Sequence, residues 1–195
     1  MVLEYGKGQS SGYHLPLYLG DPQMSRTIFE TNRLRVRQMA VTDQDHLFLL
    51  NGDPLVMQYI RPVRTRAESD AQLEAILADR VANPTQTMGR WAVDEKDTGR
   101  FVGSFAIIPI PFQPHRTQLG YSLIPPVWGK GYATELTVAG LSFFLRESIL
   151  PEIYGVVEPE NVASIRVLEK AGFRFLENAA YEGKELQVLR FQRPH

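Results

Sequence analysis

Short runs of the chain alternate apolar and polar residues, which is the pattern of strands with one buried face. In FETNRLRVRQ, at 29–38, leucine, valine and glutamine alternate with arginine, and we predict one strand there. In MGRWAVDEKDTGRFVGSFAIIPI, at 88–110, two β-rich runs flank DEKDTG, whose residues favour a turn, so a hairpin is predicted. Three more strands are predicted over 117–125, 152–157 and 185–191.

Other segments repeat apolar residues at the three- and four-residue spacing of helices. The run TDQDHLFLLNGD predicts a helix that Thr42 or Asp43 caps and that Gly52 ends. A second helix is predicted over Glu68–Val81. A third helix is predicted with an apolar face of Val138, Leu141, Leu145 and Ile149. A fourth helix is predicted to begin at an Asn161 cap and to end at Gly172. Its side chains towards the core are Val162, Ile165, Leu168 and Ala171.

The order of these elements indicates the fold class. It runs strand, two helices, three strands, helix, strand, helix, strand, which predicts an α/β domain with a mixed sheet. Residues 1–27 are rich in Gly, Ser, Tyr and Pro without a period, and we predict that they are an N-terminal extension. Residues 28–195 then form a single domain, an ordinary size for one hydrophobic core.

Composition narrows the function classes. The net charge of −1 argues against an electrostatic nucleic-acid partner. The chain has no cysteine, which excludes disulfides, thiolate metal sites and a cysteine nucleophile, and its four histidines form no ligand motif, so no metal is predicted. No apolar run is long enough to span a membrane and no secretory signal begins the chain, so we predict no membrane partner and a cytoplasmic location.

The stretch VWGKGYATE, at 127–135, carries the strongest chemical signal. The N–H groups at a helix start lack intrahelical partners, and the helix dipole adds partial positive charge, so a diphosphate fits there. Gly129 and Gly131 remove side chains at alternate positions, and Ala133 is nearly as small. Thr134 adds a hydroxyl and Lys130 a charge.

The alternative is that this turn is only a flexible strand–helix connection, because a lone Gly-x-Gly has low specificity. A strand before it and an amphipathic helix after it favour a site. The similar YGKGQSSG at 5–12 has neither neighbour. A P-loop would need glycine where Ile124 stands and Ser or Thr where Gly131 stands, so that motif is excluded.

Two segments in order, LGYSLIPPVWGKGYATE and VEPENVASIRVLEKAGF, resemble the GCN5-related N-acetyltransferases (GNAT), especially the branch of ribosomal-protein N-terminal acetyltransferases. The resemblance covers about 29–192, with TNRLRVRQM and TGRFVGSF as further matches. It implies a mostly antiparallel mixed sheet flanked by helices and splayed between the strands at 118–125 and 152–157. It also implies acetyl-CoA as co-substrate, held by Leu123, Ile124, Trp128, Gly129, Lys130, Gly131, Tyr132, Ala133, Thr134, Asn161 and Ser164.

Within that resemblance, Leu123 and Ile124 are expected to pair with the pantetheine arm, and the amides of 129–134 to hold the diphosphate. Trp128 departs from the Gln or Arg that usually begins the family's loop. Asn161 either binds pantetheine or only caps its helix. Trp91, Phe105, Tyr121 and Tyr181 either line an acceptor pocket or belong to the core.

Amine acetylation needs a neutral amine and a proton for the leaving thiolate. Many relatives carry a glutamate where this chain has Gln118, and an amide cannot act as a base. Glu158 or Glu182 is the candidate base, with a solvated surface carboxylate as the alternative for each. Leu168 stands where many relatives carry an acidic tyrosine, and the resemblance implies Ser164 as the proton donor. Alternatively, Ser164 only satisfies the helix end.

These observations predict an N-acetyltransferase that moves the acetyl group of acetyl-CoA directly to a primary amine. The acceptor is either a protein N-terminal α-amine or a small-molecule amine, and the protein is a monomer or a homodimer. The alternative class is a non-catalytic acyl-CoA-binding regulatory module, which the missing base at Gln118 allows.

Overall fold

One eight-stranded sheet organises the residues that this computed structural model describes, 25–82 and 87–194. Neighbouring strands are antiparallel except for one parallel pair, so the sheet is mixed and mostly antiparallel, as predicted. In chain order the strands are β1 (Thr27–Glu30), β2 (Leu34–Gln38), β3 (Gly89–Glu95), β4 (Phe101–Ile110), β5 (Gln113–Leu123), β6 (Glu152–Val157), β7 (Arg174–Tyr181) and β8 (Lys184–Gln192).

Helices cover both faces of this sheet, whose spatial order is β1-β2-β3-β4-β5-β6-β8-β7. The largest core lies between the sheet and the helices α4 and α5, a second core lies under α1, α2 and α3, and a third, small cluster contains Ile110, Tyr154 and Val188. Short 3-10 turns precede α1 and α4. The helices are α1 (Gln44–Asn51), α2 (Pro54–Met57), α3 (Arg66–Ala82), α4 (Tyr132–Glu147) and α5 (Val162–Lys170).

The single strand predicted over 29–38 is wrong, because the chain forms two antiparallel strands there, β1 and β2. Thr31 makes the turn between them: its Oγ1 accepts from the N–H of Leu34 at 2.8 Å. The strand β7 was missed altogether. It lies at the edge of the sheet and buries few side chains, so its sequence RFLENAAY lacks a strong alternation.

The apolar face predicted for α4 is also partly wrong. Ile149 lies beyond the end of the helix and is 99% exposed, and Val138 is 45% exposed. The buried face instead includes Leu136, Phe144 and Gly140, which packs so closely on a core ring that a Cβ would approach Phe105 within 2.2 Å. A glycine carries no apolar signal, so a hydrophobicity pattern misses this contact. In α5 the predicted core position Val162 is likewise 49% exposed.

The structure describes only residues 25–27 of the predicted N-terminal extension, and Thr27 already belongs to β1. The division into an extension of 1–27 and a domain of 28–195 therefore stays a prediction. The other predicted elements are present with shifted ends, and the strand over 152–157 begins and ends where expected.

Candidate active site

A cleft of about 530 Å³ opens where β5 and β6 separate. The two strands pair in parallel only at Gln118 and Tyr154, although both continue beyond that point. Residues 119–123 of β5 and 155–157 of β6 form its walls. The starts of α4 and α5 and the segment around α2 complete the lining.

The backbone of β5 presents alternate peptide groups to this cleft, because successive residues of a strand point their N–H and C=O groups in opposite directions. The N–H of Ile124 donates to the carbonyl of Val102, on the β4 side, at 3.0 Å. The peptide groups of Tyr121 and Leu123 therefore face the cleft. The carbonyl of Leu123 accepts from Trp128 Nε1 at 2.7 Å. The backbone N–H of Leu123 is therefore the group left for a ligand. Ile124, predicted as its companion, points its N–H the other way.

The glycine turn before α4 requires glycine for its conformation. Gly129 and Gly131 have φ angles of 75° and 79°, in the left-handed region that other residues rarely adopt. A Cβ on Gly129 would meet nothing within 4 Å, and one on Gly131 would meet only Arg33 Nη2, at 3.6 Å. Glycine therefore has two independent roles in this turn, since it leaves room for an anion and adopts the left-handed backbone.

The first turn of α4 lies at the cleft, and no side chain caps its amides. Gly131 is the N-cap, and a glycine offers no side chain to accept from these N–H groups. Lys130 is exposed, while Tyr132, Ala133 and Thr134 line the cleft. The chain therefore has a helix N-terminus with open amides and a nearby cation, which is the local geometry that suits an anion.

Arg33, a residue that the sequence patterns do not single out, binds this turn and the first turn of α4. Its Nη1 donates to the carbonyl of Lys130 at 3.0 Å, its Nη2 lies 2.6 Å from Glu135 Oε2, and its guanidinium stacks 4.5 Å over the ring of Tyr132. Burial opposes ionisation of Glu135, but hydrogen bonds from Thr31 and Arg33 outweigh it and lower the pKa of Glu135. Arg33 and Lys130 are 97 residues apart, so no local pattern could link them.

The phenol of Tyr132 binds Glu95, which does not line the cleft. It donates to Glu95 Oε1 at 2.6 Å, and this bond, with burial, raises the pKa of Tyr132. Tyr132 therefore contributes a backbone amide to the site while its side chain fixes the helix to the β3–β4 turn.

Ser164 and Tyr121 meet inside the cleft. Asn161 caps α5, because its Oδ1 accepts from the N–H of Ser164 at 3.1 Å. The hydroxyl of Ser164 is left for another partner, and Tyr121 Oη donates to it at 3.2 Å. Burial raises the pKa of Tyr121, opposed by the bond to Ser164, so the phenol is a neutral donor near pH 7. The pair can pass a proton to a group placed in the cleft.

The model of the Acetyltransferase (GNAT) domain family matches residues 33–174. The chain belongs to this family. YkkB of Bacillus subtilis is 30% identical over 166 residues, covering 84% of this chain and 95% of YkkB. A GNAT-family acetyltransferase from Bacillus anthracis has a TM-score of 0.72 at 22% identity, over 87% of this chain and 98% of its own. RimL, a ribosomal L7/L12 α-N-protein acetyltransferase solved with coenzyme A, has a TM-score of 0.69 at 16% identity, over 86% and 98%.

These findings confirm the predicted family, the α/β fold and the enzyme class. The protein is a GNAT acetyltransferase, and acetyltransferases of this fold use acetyl-CoA. At 22% and 16% identity, these two solved structures bear on the fold alone.

The GNAT cleft contains no carboxylate side chain among the described residues that line it. Glu158 lies outside the lining and contacts the ammonium group of Lys184. Glu182 is exposed in the β7–β8 turn, with a positive φ of 50°. Gln118 Nε2 donates to the carbonyl of Pro109 at 3.5 Å. The structure therefore does not bring either candidate base to Ser164.

The four candidate aromatic residues separate into two groups. Trp91 and Phe105 are core residues, 4% and 0% exposed, and pack with ring centroids 5.9 Å apart. Tyr121 lines the cleft, whereas Tyr181 packs against Phe112 on the edge strand β7.

The described residues contain no group of three His, Asp or Glu side chains that could hold a metal. No helix within 25–82 or 87–194 is long and apolar enough to cross a membrane.

Proposed function

We propose that this GNAT enzyme transfers the acetyl group of acetyl-CoA directly to a primary amine. One observation carries the proposal: the opening between β5 and β6 joins the left-handed glycine turn at one end to the Tyr121–Ser164 pair at the other. A long co-substrate with a diphosphate and a reactive thioester needs both ends in a single cleft.

The diphosphate binds at the glycine turn, where the amides of 129–134 and the charge of Lys130 supply donors. The pantetheine arm lies along β5 and pairs with the peptide groups of Tyr121 and Leu123, as an added strand does at a free sheet edge. Asn161 acts as a helix cap in this arrangement, and Trp128 fixes the end of β5 through its bond to Leu123.

The reaction then runs at the far end of the cleft. The amine nitrogen attacks the thioester carbonyl carbon, the C–S bond breaks, and the acetyl group becomes an amide. Ser164 Oγ gives its proton to the departing sulfur and takes the proton of Tyr121 Oη, which donates to that oxygen, and the phenol regains a proton from water. The amine loses its proton to water, because no carboxylate among the described residues lines the cleft. Glu158 takes part only if water connects it.

The acceptor is a protein N-terminal α-amine or a small-molecule amine. RimL, whose fold is similar, is named for the first class, which is why we include it. The membership in an acetyltransferase family argues against the non-catalytic acyl-CoA-binding module considered from sequence.

Two measurements test the proposal. Acetyl-CoA should raise the melting temperature, because a ligand that binds only the folded state stabilises it. An amine panel should then show acceptor-dependent release of free coenzyme A thiol. If acetyl-CoA binds but neither amine class causes thiol release, the protein is a binding module. If acetyl-CoA leaves the melting temperature unchanged, acetyl-CoA is not the ligand.

A further inference from the structure

The cleft between β5 and β6 is lined from both faces of the sheet. On one face, Leu119, Tyr121 and Leu123 of β5 pack into the core under α4 and α5. Successive side chains of a strand point to opposite faces, so Gly120 and Ser122 lie on the other face. All five residues line the cleft, which therefore passes through the gap between the two strands.

Small residues form the floor of the cleft on the second face. Ser122 pairs with Ser104, which pairs with Ala92 of the core under α1, α2 and α3, so Ser122 faces those helices. Gly120 lies on the same face, and a Cβ there would meet nothing within 4 Å. The space above these two residues is open. We call it the α2-side pocket, and its lining residues are Gly120, Ser122, Val156, Leu55, Tyr59 and Ile60.

Apolar side chains form the walls of the α2-side pocket. Val156 lies across the gap on the same face, because Tyr154, two residues earlier, pairs with Gln118 of β5. Leu55, in α2, and Ile60, just after it, are 60% and 42% exposed although both line the cleft. Large apolar side chains that stay exposed beside a cavity are typical of a surface that binds an apolar group.

The α2-side pocket also lacks charge. None of the described residues that line the cleft is Asp, Glu, Lys, Arg or His. Arg61 follows the pocket in sequence but does not line it, and Glu158 contacts the ammonium group of Lys184 instead. The hydroxyls of Tyr59 and Ser122 can accept a hydrogen bond from one amine. A second charge on the acceptor would lose water here without gaining a counter-ion, which is unfavourable.

An uncharged pocket suits the chemistry of acetyl transfer. Removal of water disfavours an ammonium group, so the pKa of an amine bound there falls and more of it is neutral. The neutral amine is the form that attacks a thioester. This effect matters because no carboxylate among the described lining residues is present to take the proton.

We propose that the acceptor is a primary amine whose nitrogen carries an apolar, uncharged group, and that this group occupies the α2-side pocket. The inference rests on the proposed function and narrows its acceptor. The group is either the alkyl or aryl part of a free monoamine or the apolar first side chain of a peptide. Diamines, polyamines and free amino acids are poor acceptors, because each brings a second charge into a pocket that has no counter-ion.

The first test compares acceptors of equal size. n-Hexylamine and 1,5-diaminopentane have the same number of non-hydrogen atoms, and a methyl group in one replaces an ammonium group in the other. Thiol release should give a kcat/KM about 10- to 100-fold higher for n-hexylamine. A second arm uses the C-terminal amides of Leu-Ala-Ala, Lys-Ala-Ala and Asp-Ala-Ala, and the leucine peptide should react fastest. The arm with the higher kcat/KM identifies a free monoamine or a peptide as the source.

Substitutions connect this preference to the pocket. Leu55→Glu and Ile60→Glu place a carboxylate at exposed positions of the lining, and each should lower the ratio of kcat/KM for n-hexylamine over 1,5-diaminopentane about tenfold. Val63→Glu is the matched control, since Val63 is 49% exposed between α2 and α3 but does not line the cleft, and the ratio should stay unchanged. Gly120→Val should raise the KM for n-hexylamine about tenfold without changing the KM for acetyl-CoA, because the valine fills the floor.

A binding measurement separates this inference from the proposed function. With coenzyme A present, N-hexylacetamide should raise the melting temperature more than N-acetyl-1,5-diaminopentane does. Gly120→Val should remove this difference and keep the shift that coenzyme A itself causes. The measurement needs no turnover, so it tests the pocket even if no amine releases thiol. Equal shifts for the two amides, or a kcat/KM for 1,5-diaminopentane that equals that for n-hexylamine, overturn the inference.

Discussion

Asn161 Oδ1 accepts from the backbone N–H of Ser164, so the helix end does not need the Ser164 hydroxyl. Among the described residues, that hydroxyl has one hydrogen-bond partner, the phenol of Tyr121. Ser164→Ala should therefore lower kcat by about 10- to 100-fold while the affinity for acetyl-CoA stays nearly intact, since proton donation matters in the transition state. Tyr121→Phe should give a smaller loss. Steady-state kinetics and calorimetry check both. A destabilised but fully active Ser164→Ala would show that the residue only supports the helix end.

The two arginines Arg33 and Arg35 form a matched pair, since their side chains are equally exposed, at 45%. Arg33 binds the carbonyl of Lys130 in the glycine turn, whereas Arg35 binds Glu30 on a neighbouring strand. We expect Arg33→Ala to weaken acetyl-CoA binding about 5- to 10-fold, because the turn loses a charged hydrogen bond that positions its amides. Arg35→Ala should leave the dissociation constant unchanged. Equal effects in calorimetry would remove Arg33 from the site.

At the scale of elements, the glycine turn has an internal control in the β3–β4 turn. Gly129 and Gly99 both have left-handed φ angles, 75° and 67°, and both face open space. Alanine at either position should cost about 1–2 kcal/mol of folding free energy for the same backbone reason. Only Gly129→Ala should also weaken acetyl-CoA binding, by roughly tenfold, because only that turn aims amides at the diphosphate. Thermal unfolding and calorimetry on both variants check the expectation.

Local sequence patterns predicted a helix or strand well where residues within that one segment determine where it begins and ends. The Asn161 cap, the Gly172 stop and the strand at 152–157 were read directly from neighbouring residues. Elements that depend on distant partners were missed or misplaced. The edge strand β7 buries too little to show a pattern, and the buried face of α4 is set partly by Gly140, a residue without a side chain.

The same limit applies to the site. The glycine turn and the helix cap are contiguous in sequence, so their chemistry was visible before the fold was known. Arg33, from the β1–β2 turn, binds Tyr132 and Glu135 of α4 across the domain. Their roles depend on which strands become neighbours, and composition or periodicity contains no such information.

For the molecule as a whole, the lack of cysteine bears on the kinetic scheme. We expect direct transfer through a ternary complex, with no acetylated enzyme intermediate, because no thiol exists to carry the acetyl group. Intact-mass spectrometry after incubation with acetyl-CoA alone should show an unmodified chain, and the initial-rate patterns should be sequential rather than ping-pong. A rapidly formed acetyl adduct that an amine then removes would contradict this.

The separation of β5 from β6 has a consequence for amide hydrogen exchange. Gly120 and Ser122 direct their amides towards β4, whereas Tyr121 and Leu123 direct theirs into the cleft. Adjacent amides of one strand should therefore exchange with deuterium at alternating fast and slow rates. When the co-substrate lies along the strand, its own amides take the position of the missing neighbour and the fast positions should slow. The small molecule would then behave as a temporary ninth strand, and the free sheet would be complete only during catalysis.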